Sequence, residues 1–394
     1  MFIELTNAVL HAIQTLNDAG YEAYAVGGCI RDALLGKEPT DWDITTSATP
    51  DEITAAFSTY RTIDTGAQHG TVTVILDDTS LEITTYRIDG DYTDGRHPDS
   101  VSFTRSLTED LRRRDFTINA MAYHPSVGLV DLHGGQMDLR AGLIRCIGEP
   151  ERRFEEDALR ILRALRFASV LGFAIQPETS EALRRLSPTL TRVAAERIYG
   201  EWLKLLCGQD AVRIVDEYAD VLRVFLPEIT QLNNTELIGK VSGTSHARIC
   251  ALFYCANVPT TVAEHILRRL HVDFQTIRRV IMLLDSRSHA VTNDADLLRL
   301  LNRLGEDVIF DYLMLAEADQ SIFDRVQQLL DNNTCYKISM LAIDGNDIIE
   351  TGIPAGPDVG KRLLDLLDAV IEGFCSNNRE DLLKYLNKMK KPVH

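Results

Sequence analysis

The sequence has no long hydrophobic run and few cysteines. No apolar stretch approaches the roughly 18 residues of a membrane span, and the first twenty residues contain Glu4 and Asp18 in place of an apolar signal core. The seven cysteines are widely spaced, and the closest pair, Cys250 and Cys255, has no histidine companion at zinc-site spacing. We therefore expect a soluble cytoplasmic protein with reduced thiols and no contact with a membrane.

Basic residues are scarce at the start of the chain. Residues 1–104 contain 5 Lys and Arg against 17 Asp and Glu, whereas residues 105–204 contain 16 against 14. A net charge of −17 at first argues against a nucleic-acid partner, because nucleic acids bind cationic surfaces. The clusters Arg112–Arg114 and Arg152–Arg153 could still form a local basic surface for RNA, although such runs are usually solvated faces.

The pattern of apolar residues divides the chain into two parts. Helical spacing over 4–19, a strand over 21–26, a short helix over 30–35 and β-rich runs over 70–76 and 81–86 predict a small α/β head. A further helix is expected to begin at Thr49-Pro50-Asp51-Glu52, with Thr49 as its N-cap. From about residue 151 helical periodicity dominates, with segments near 155–171, 178–187, 192–206, 210–224, 260–270, 274–285, 295–303, 306–317, 320–331, 358–373 and 378–390. The fold class is therefore α+β, a mixed-sheet head followed by an all-α remainder.

A glycine turn lies just upstream of two closely spaced carboxylates. Gly27 and Gly28 follow the predicted strand, and a second strand carries Asp41 and Asp43. Because side chains alternate faces along a strand, the two carboxylates would point the same way and share one or two Mg²⁺ ions with substrate phosphates. Arg31 could reach a triphosphate. The Asp-x-Asp spacing by itself is also common among solvated surface acids.

Four ordered segments resemble class II tRNA nucleotidyltransferases, the bacterial CCA-adding enzymes and their poly(A) polymerase relatives in the polymerase β-like superfamily. These segments span about residues 20–205: the glycine turn with Asp41-Trp42-Asp43, RRDFTINAMAYH from Arg113 to His124, DLHGGQMDLRAGLIRCIGEPERRFEEDALRILRALRF from Asp131 to Phe167, and AAERIYGEW from Ala194 to Trp202. The resemblance implies a nucleotidyltransferase head over 1–145, a nucleotide-selecting neck over 146–206, an all-α body over 207–330 and a tRNA-binding tail over 331–394.

The resemblance also implies roles for individual residues. Asp157 and Arg160, three apart on one face of an amphipathic helix, would read the base edge; the alternative is a helix ion pair. Arg114, Asp115 and Asn119 would contact the ribose, although Asp115 could also cap a helix beginning at Phe116. The other implied nucleotide contacts are Gly28, Arg31, Arg163 and Arg166, and the residues that would brace the Asp157–Arg160 helix are Glu196, Arg197 and Glu201.

The implied activity is addition of C, C and A to the 3′ end of tRNA, from CTP and ATP, with Mg²⁺ and without a nucleic-acid template. An A-adding enzyme or a poly(A) polymerase would share these motifs, and a catalytically silent RNA-binding protein is the alternative from another class. Enzymes that add only CC tend to lack a loop that is full-length here, from Tyr86 to Phe103 with Asp91, Asp94 and Arg96. The loop therefore favours CCA or A addition.

Overall fold

The chain forms two compact units. The computed structural model describes residues 2–66, 70–76, 79–90, 101–288 and 291–389. One unit comprises residues 1–230 with 269–271, and the other comprises 231–268 with 272–394. No helix of the described residues is long and apolar enough to cross a membrane. The division near residue 230 falls inside the predicted body, and the four-part division of the chain remains a prediction.

A mixed sheet of seven strands forms the centre of the first unit. Its order is β3-β4-β5-β2-β1-β8-β9; β2 and β5 are parallel, and the other neighbours are antiparallel. Two short pairs, β6 with β7 and β10 with β11, lie outside it. The strands are β1 Ala23–Val26, β2 Asp43–Thr46, β3 Arg61–Gly66, β4 Thr71–Leu76, β5 Thr79–Thr85, β6 Arg87–Asp89, β7 Val101–Phe103, β8 Met121–His124, β9 Gly128–Asp131, β10 Leu143–Ile144 and β11 Ala174–Ile175.

Helices pack on this sheet, and further helices follow it along the chain. Thr49 caps α3 in a capping box with Glu52, and Pro50 occupies its first turn, as the sequence predicts. The helices of the first unit are α1 Asn7–Asp18, α2 Gly28–Leu34, α3 Pro50–Ala56, α4 Leu107–Arg112, α5 Gly135–Ala141, α6 Pro150–Glu156, α7 Leu159–Leu171, α8 Pro177–Leu186, α9 Ala195–Leu206, α10 Ala211–Glu217 and α11 Ala219–Phe225. Short 3₁₀ helices span Thr117–Asn119 and Ser187–Arg192. The α+β fold class is confirmed.

Two predicted elements, near Asp41 and near Asp157, differ from the structure. The strand expected to carry both carboxylates begins only at Asp43, so Asp41 lies in a bend before β2. The single helix expected over 155–171 is two helices, because Asp157 leaves the helical conformation with φ −142° and ψ 105°. Its Oδ1 accepts the N–H of Leu159 at 3.0 Å, a local bond that competes with helix continuation.

The described part of the second unit is helical. Its helices are α12 Glu236–Lys240, α13 Ser245–Cys255, α14 Thr260–Arg269, which ends in the first unit, α15 Phe274–Asp285, α16 Asp294–Leu304, α17 Ile309–Leu315, α18 Gln320–Asp331, α19 Gly345–Glu350, α20 Pro357–Ile371 and α21 Arg379–Met389; 3₁₀ turns span Ser286–Ser288 and Ile338–Met340. The sequence analysis missed α13, eight of whose eleven residues are buried. A helix buried nearly all round has no amphipathic period to detect.

Candidate active site

One cavity of about 460 Å³ in the first unit gathers the residues that the motifs single out. Its walls come from the turn before α2, the start of β2, the segment after α4, and α7 with the break before it. A volume of this size is typical of small-molecule sites. All the predicted catalytic and nucleotide-binding residues line it: Gly28, Arg31, Asp41, Asp43, Arg114, Asp115, Asn119, Asp157, Arg160, Arg163 and Arg166.

Asp41 and Asp43 lie on either side of a buried tryptophan. Trp42 is 9% exposed, whereas both aspartates are exposed and both line the cavity. The alternation that the sequence analysis assigned to a strand is therefore kept, although Asp41 precedes β2. Loss of hydration at the cavity wall raises the pKa of the Asp43 carboxyl, the charges of Glu82 and Asp41 raise it further, and Arg114 lowers it. The two aspartates thus form one concentrated patch of negative charge.

Glu82 is a third acidic neighbour, which the sequence analysis did not identify. It lies directly across from Asp43 in the parallel pairing of β5 with β2, so the two side chains project from the same face. Its charge is the second-largest influence on the pKa of Asp43, after burial. No motif marks Glu82, because the register between β2 and β5 is a property of the folded sheet.

The glycine turn brings the backbone close to an arginine. Gly27 has φ +85°, a conformation that L side chains rarely adopt, and a Cβ there would lie 3.2 Å from Nη1 of Arg114. Nη2 of Arg114 donates to Asp110 at 3.2 Å. Its Nε is buried and has no hydrogen-bond partner among the described residues. A glycine at position 27 therefore leaves space for this guanidinium beside Asp43.

Arg31 is fixed from two sides. Its Nε and Nη2 each donate to Asp32 at 2.9 Å, and its Nη1 donates to Oδ1 of Asn119 at 2.8 Å. The carboxylate of Asp32 therefore holds the Arg31 guanidinium. The bidentate pair leaves the Arg31 guanidinium at the cavity wall with its direction set by Asp32 and Asn119.

Asp115 is a buried carboxylate that accepts three hydrogen bonds. Its Oδ1 accepts from the N–H of Phe116 at 2.8 Å and from Asn119 at 3.1 Å, and its Oδ2 accepts from Nε of Arg163 at 2.8 Å and lies 2.7 Å from Nη2. Burial works to raise the pKa of Asp115, but Arg163 and Asn119 outweigh it and hold that pKa at about 2. Both carboxylate oxygens are therefore engaged within the protein.

Glu201 of α9 lies close to two arginines of α7. Its carboxylate lies 3.6 Å from Arg163 and 3.1 Å from Nε of Arg166, the second contact lacking hydrogen-bond alignment. Arg197, four residues earlier on the same face of α9, donates to Oδ2 of Asp157 at 2.9 Å. Two of the three predicted bracing residues therefore contact cavity residues.

Glu196 does not share that arrangement. Its Oε1 lies 2.6 Å from Nδ1 of His271, and both side chains are more than half exposed. Adjacent helical residues differ by about 100° in direction, so Glu196 and Arg197 project from different faces of α9. That Glu196 braces Asp157 and Arg160 stays a prediction.

Arg160 is buried where α6 meets α7. It is 9% exposed, its Nη1 donates to Glu156 at 2.6 Å and to the Arg153 carbonyl at 3.1 Å, and its Nη2 donates to the Arg113 carbonyl at 3.2 Å. The predicted alternative, an ion pair between Asp157 and Arg160 on one helix, is not the arrangement that these contacts describe: Asp157 pairs with Arg197 and Arg160 with Glu156. Both nevertheless line the cavity.

The donor set suits a hard divalent cation. The exposed carboxylates Asp41 and Asp43 are oxygen ligands, and burial raises the pKa of the neighbouring Cys29 thiol to about 11, which keeps it protonated. Among the described residues no group of three or more His, Cys, Asp or Glu side chains is arranged to hold a metal ion. Two carboxylates completed by substrate phosphates and water are the usual surroundings of Mg²⁺.

Comparison with known proteins first defines the class. The family model described as "Poly A polymerase head domain" matches residues 23–145, which contain the glycine turn, Asp41 and Asp43. A second family model, of tRNA nucleotidyltransferase domain 2, matches residues 242–386. With its carboxylate pair beside the glycine turn, this head defines the chain as a nucleotidyltransferase. Enzymes of this class use divalent metal ions.

Relatives over the whole chain define the family. CCA-adding enzymes from Leuconostoc mesenteroides and Levilactobacillus brevis are 36% and 38% identical, and each alignment covers 94% of this chain and 93% or 95% of the relative. The chain belongs to the family of CCA-adding enzymes. The crystal structure of the Bacillus stearothermophilus CCA-adding enzyme in complex with CTP superposes with a TM-score of 0.80 at 32% identity, covering 97% of this chain and 96% of that one.

A more distant structure shares the fold alone. The Thermotoga maritima CCA-adding enzyme, solved in complex with tRNA, is 21% identical and superposes with a TM-score of 0.70. The loop that separates CCA from CC addition in the sequence analysis lies largely outside the described residues. The structure describes only its flanking strands, β6 and β7, which pair antiparallel.

Proposed function

We propose that this chain adds C, C and A to the 3′ end of tRNA, from CTP and ATP, without a nucleic-acid template and with release of pyrophosphate. The observation that carries the proposal is the single cavity in which Asp41 and Asp43 meet Asp157 and Arg160. The first pair supplies the chemistry of phosphoryl transfer, and the second supplies a protein surface that can recognise a base. A template becomes unnecessary if these side chains select the nucleotide.

Asp41 and Asp43 would hold Mg²⁺. When bound, the metal activates the 3′-hydroxyl of the tRNA and neutralises the charge that develops on the leaving pyrophosphate. Both carboxylates line the cavity, and Trp42 between them in the sequence is buried. Glu82, paired across from Asp43, adds negative charge to the same place. The aspartates position the reactants and need form no covalent intermediate.

Arginine side chains would bind the triphosphate and the ribose. Arg31 is directed by Asp32 and Asn119, and Arg114 lies beside Asp43 with a buried Nε that lacks a partner in the described structure. Guanidinium groups bind phosphate oxygens through several N–H donors. Because both of its oxygens hold Asn119 and Arg163, Asp115 would position these two side chains for the ribose.

Asp157 and Arg160 would read the base. Cytosine and adenine each present an amino donor next to a ring-nitrogen acceptor on the Watson–Crick edge, whereas uracil and guanine present the reverse. A carboxylate accepts from the amino group and a guanidinium donates to the ring nitrogen. Asp157 has two donors for about four acceptor positions, so it keeps capacity for a base. One pair of side chains thus serves both CTP and ATP.

Two observations support the partners and the compartment. The fold is that of enzymes solved in complex with CTP and with tRNA, and the predicted tail, which begins at residue 331, would lie against the tRNA. No disulfide joins any of the seven cysteines, all of which lie among the described residues, and this suits a reducing compartment such as the cytoplasm.

The test uses three RNA substrates, each incubated with CTP alone, with ATP alone and with both nucleotides together. We expect a tRNA transcript that ends at the discriminator base to gain CCA and then stop, and a transcript that ends in CC to gain one A. A non-tRNA oligonucleotide should remain unextended. Failure to add C to the first transcript, with A still added to the second, would indicate an A-adding enzyme. Unlimited A addition to the oligonucleotide would indicate a poly(A) polymerase.

A further inference from the structure

Three arginine side chains of the cavity surround one aromatic ring. The centroid of Phe167 lies 4.0 Å from the guanidinium carbon of Arg166, 5.1 Å from that of Arg31 and 5.4 Å from that of Arg163. Phe167 itself lines the cavity and is 7% exposed. A cation within about 6 Å of a ring centroid is attracted by the negative face of the ring.

The three arginines come from two helices of the first unit. Arg31 belongs to α2, beside the glycine turn, whereas Arg163 and Arg166 belong to α7. Each also contacts a carboxylate: Arg31 contacts Asp32, and the α7 arginines contact Asp115 or Glu201. The carboxylates fix one side of each guanidinium, and the ring lies on another.

Bringing these positive charges together has an electrostatic cost. Burial lowers the pKa of Arg166, and the charges of Arg163 and Arg31 lower it further, against the opposing effect of Glu201. A group that attracts all three guanidiniums without adding a formal charge reduces this repulsion. A phenyl ring meets that requirement, whereas an aliphatic side chain of similar size offers no negative face.

Phe167 is itself held in place. Its ring meets that of Phe116 edge to face, with centroids 5.8 Å apart and planes at 81°. Phe116 directly follows Asp115 and donates its backbone N–H to that carboxylate. The ring therefore joins α7 to the segment that carries Asp115 and Asn119, and its position is set independently of the three arginines.

We propose that Phe167 is a positioning residue for nucleotide binding, whose ring face keeps Arg31, Arg163 and Arg166 together and directed into the cavity. The inference rests on the proposed function, in which these arginines contact the nucleotide. Phe167 acts through them and is not itself a contact for the reacting atoms. Hydrophobic packing alone would predict that leucine, of similar volume, serves nearly as well.

The test separates the charge of the ring face from its volume. Phe167 is replaced in the full chain by phenylalanine with one, two and three ring fluorines, which weaken the negative face with little change in size. We expect the dissociation constant for CTP, measured by calorimetry, to rise at each step, by about tenfold overall. The same series at Phe57, a buried ring directly after α3 that meets the ring of Tyr60, should leave CTP binding unchanged.

A dissociation constant that stays within about twofold across the Phe167 series would overturn the proposal. So would a rise that the Phe57 series reproduces. In Phe167→Leu we expect KM for CTP and ATP to rise about tenfold while kcat falls less than about threefold. Equal effects on KM and kcat, accompanied by a lower unfolding temperature, would instead show that Phe167 is a packing residue.

The binding measurement keeps this inference separate from the proposed function. CTP binding is read without turnover, so it reports on Phe167 whether or not the product is CCA. Extension of tRNA transcripts by the unmodified protein reports on the proposed function alone. A protein that binds CTP, loses affinity along the fluorine series and yet adds no CCA would support the inference and contradict the proposed function.

Discussion

The guanidinium of Arg197 donates a 2.9 Å hydrogen bond to Oδ2 of Asp157. Arg197 belongs to α9, and Asp157 lies in the break between α6 and α7. The other oxygen of this carboxylate accepts the N–H of Leu159. Asp157 is thus fixed at both oxygens, although it lies outside any helix. A side chain that is to recognise a base must hold its orientation, and Arg197 provides part of that restraint.

Replacing Arg197 by Ala should weaken nucleotide selection. A charge-assisted hydrogen bond contributes about 1.5 to 3 kcal/mol, so we expect kcat/KM for CTP to fall about 10- to 100-fold. Steady-state kinetics on a tRNA transcript that lacks CCA measures this. The matched control is Lys204→Ala, an exposed basic residue of the same helix, which should change kcat/KM less than twofold. Equal losses in both variants would contradict this role for Arg197.

Replacing Asp41 or Asp43 by Asn should remove turnover and leave the fold intact. Both side chains are exposed, so the change costs little packing. Loss of a ligand to the metal should lower kcat on the order of 1,000-fold, equivalent to about 4 kcal/mol in the activation barrier. Asp51→Asn, an exposed acid in the first turn of α3, is the control and should retain activity. Near-normal incorporation by either cavity variant would show that the site is assigned wrongly.

Chelation tests the metal itself. EDTA should abolish nucleotide addition, and excess Mg²⁺ should restore it. Circular dichroism should remain unchanged, because the described residues contain no cluster of three or more His, Cys, Asp or Glu side chains that could hold a structural metal. Full activity of the unmodified protein after exhaustive chelation would contradict the proposed role of Asp41 and Asp43.

The stability contributed by Asp115 should depend on pH. Its pKa in the folded protein is about 2, below the ordinary value of 3.8, so the folded state favours the ionised carboxylate. The resulting stabilisation, about 2 kcal/mol, is complete above pH 4 and is lost as the pH falls toward 2. Urea unfolding of wild type and Asp115→Asn should therefore differ most at pH 5 to 7 and converge near pH 2. A difference that does not change with pH would contradict the ion pair with Arg163.

Cys29 should resist alkylation although it lines the cavity. Burial raises the pKa of its thiol to about 11, so almost no thiolate is present at pH 8. Cys207 is exposed and serves as an internal comparison. Peptide mapping after brief iodoacetamide treatment should find Cys207 modified and Cys29 unmodified. Modification of both at similar rates would show that the turn before α2 opens readily.

Local patterns in the sequence predicted the head and many of the helix ends. Thr49 and Pro50 mark the start of α3 because capping and proline geometry are properties of a few adjacent residues. The alternation around Trp42 likewise predicted that Asp41 and Asp43 face one way. Such features need no knowledge of distant parts of the chain.

The sequence could not predict pairings that arise between distant segments. Glu82 approaches Asp43 only through the register of β5 with β2, and Asp157 meets Arg197 only because α9 packs on α7. The helix break at Asp157 was missed because apolar periodicity continues across it. The motif match selected the cavity residues, whereas the partners that orient them became visible only in the fold.

The most direct test of base reading by the protein is the nucleotide preference of Asp157→Asn. An amide can donate to O4 of uracil, and its N–H group opposes the amino groups of cytosine and adenine. We expect the ratio of kcat/KM for CTP over UTP to fall at least about tenfold, equivalent to about 1.4 kcal/mol, with the unfolding temperature nearly unchanged. A ratio within about twofold of the wild-type value would contradict the claim that Asp157 selects the base.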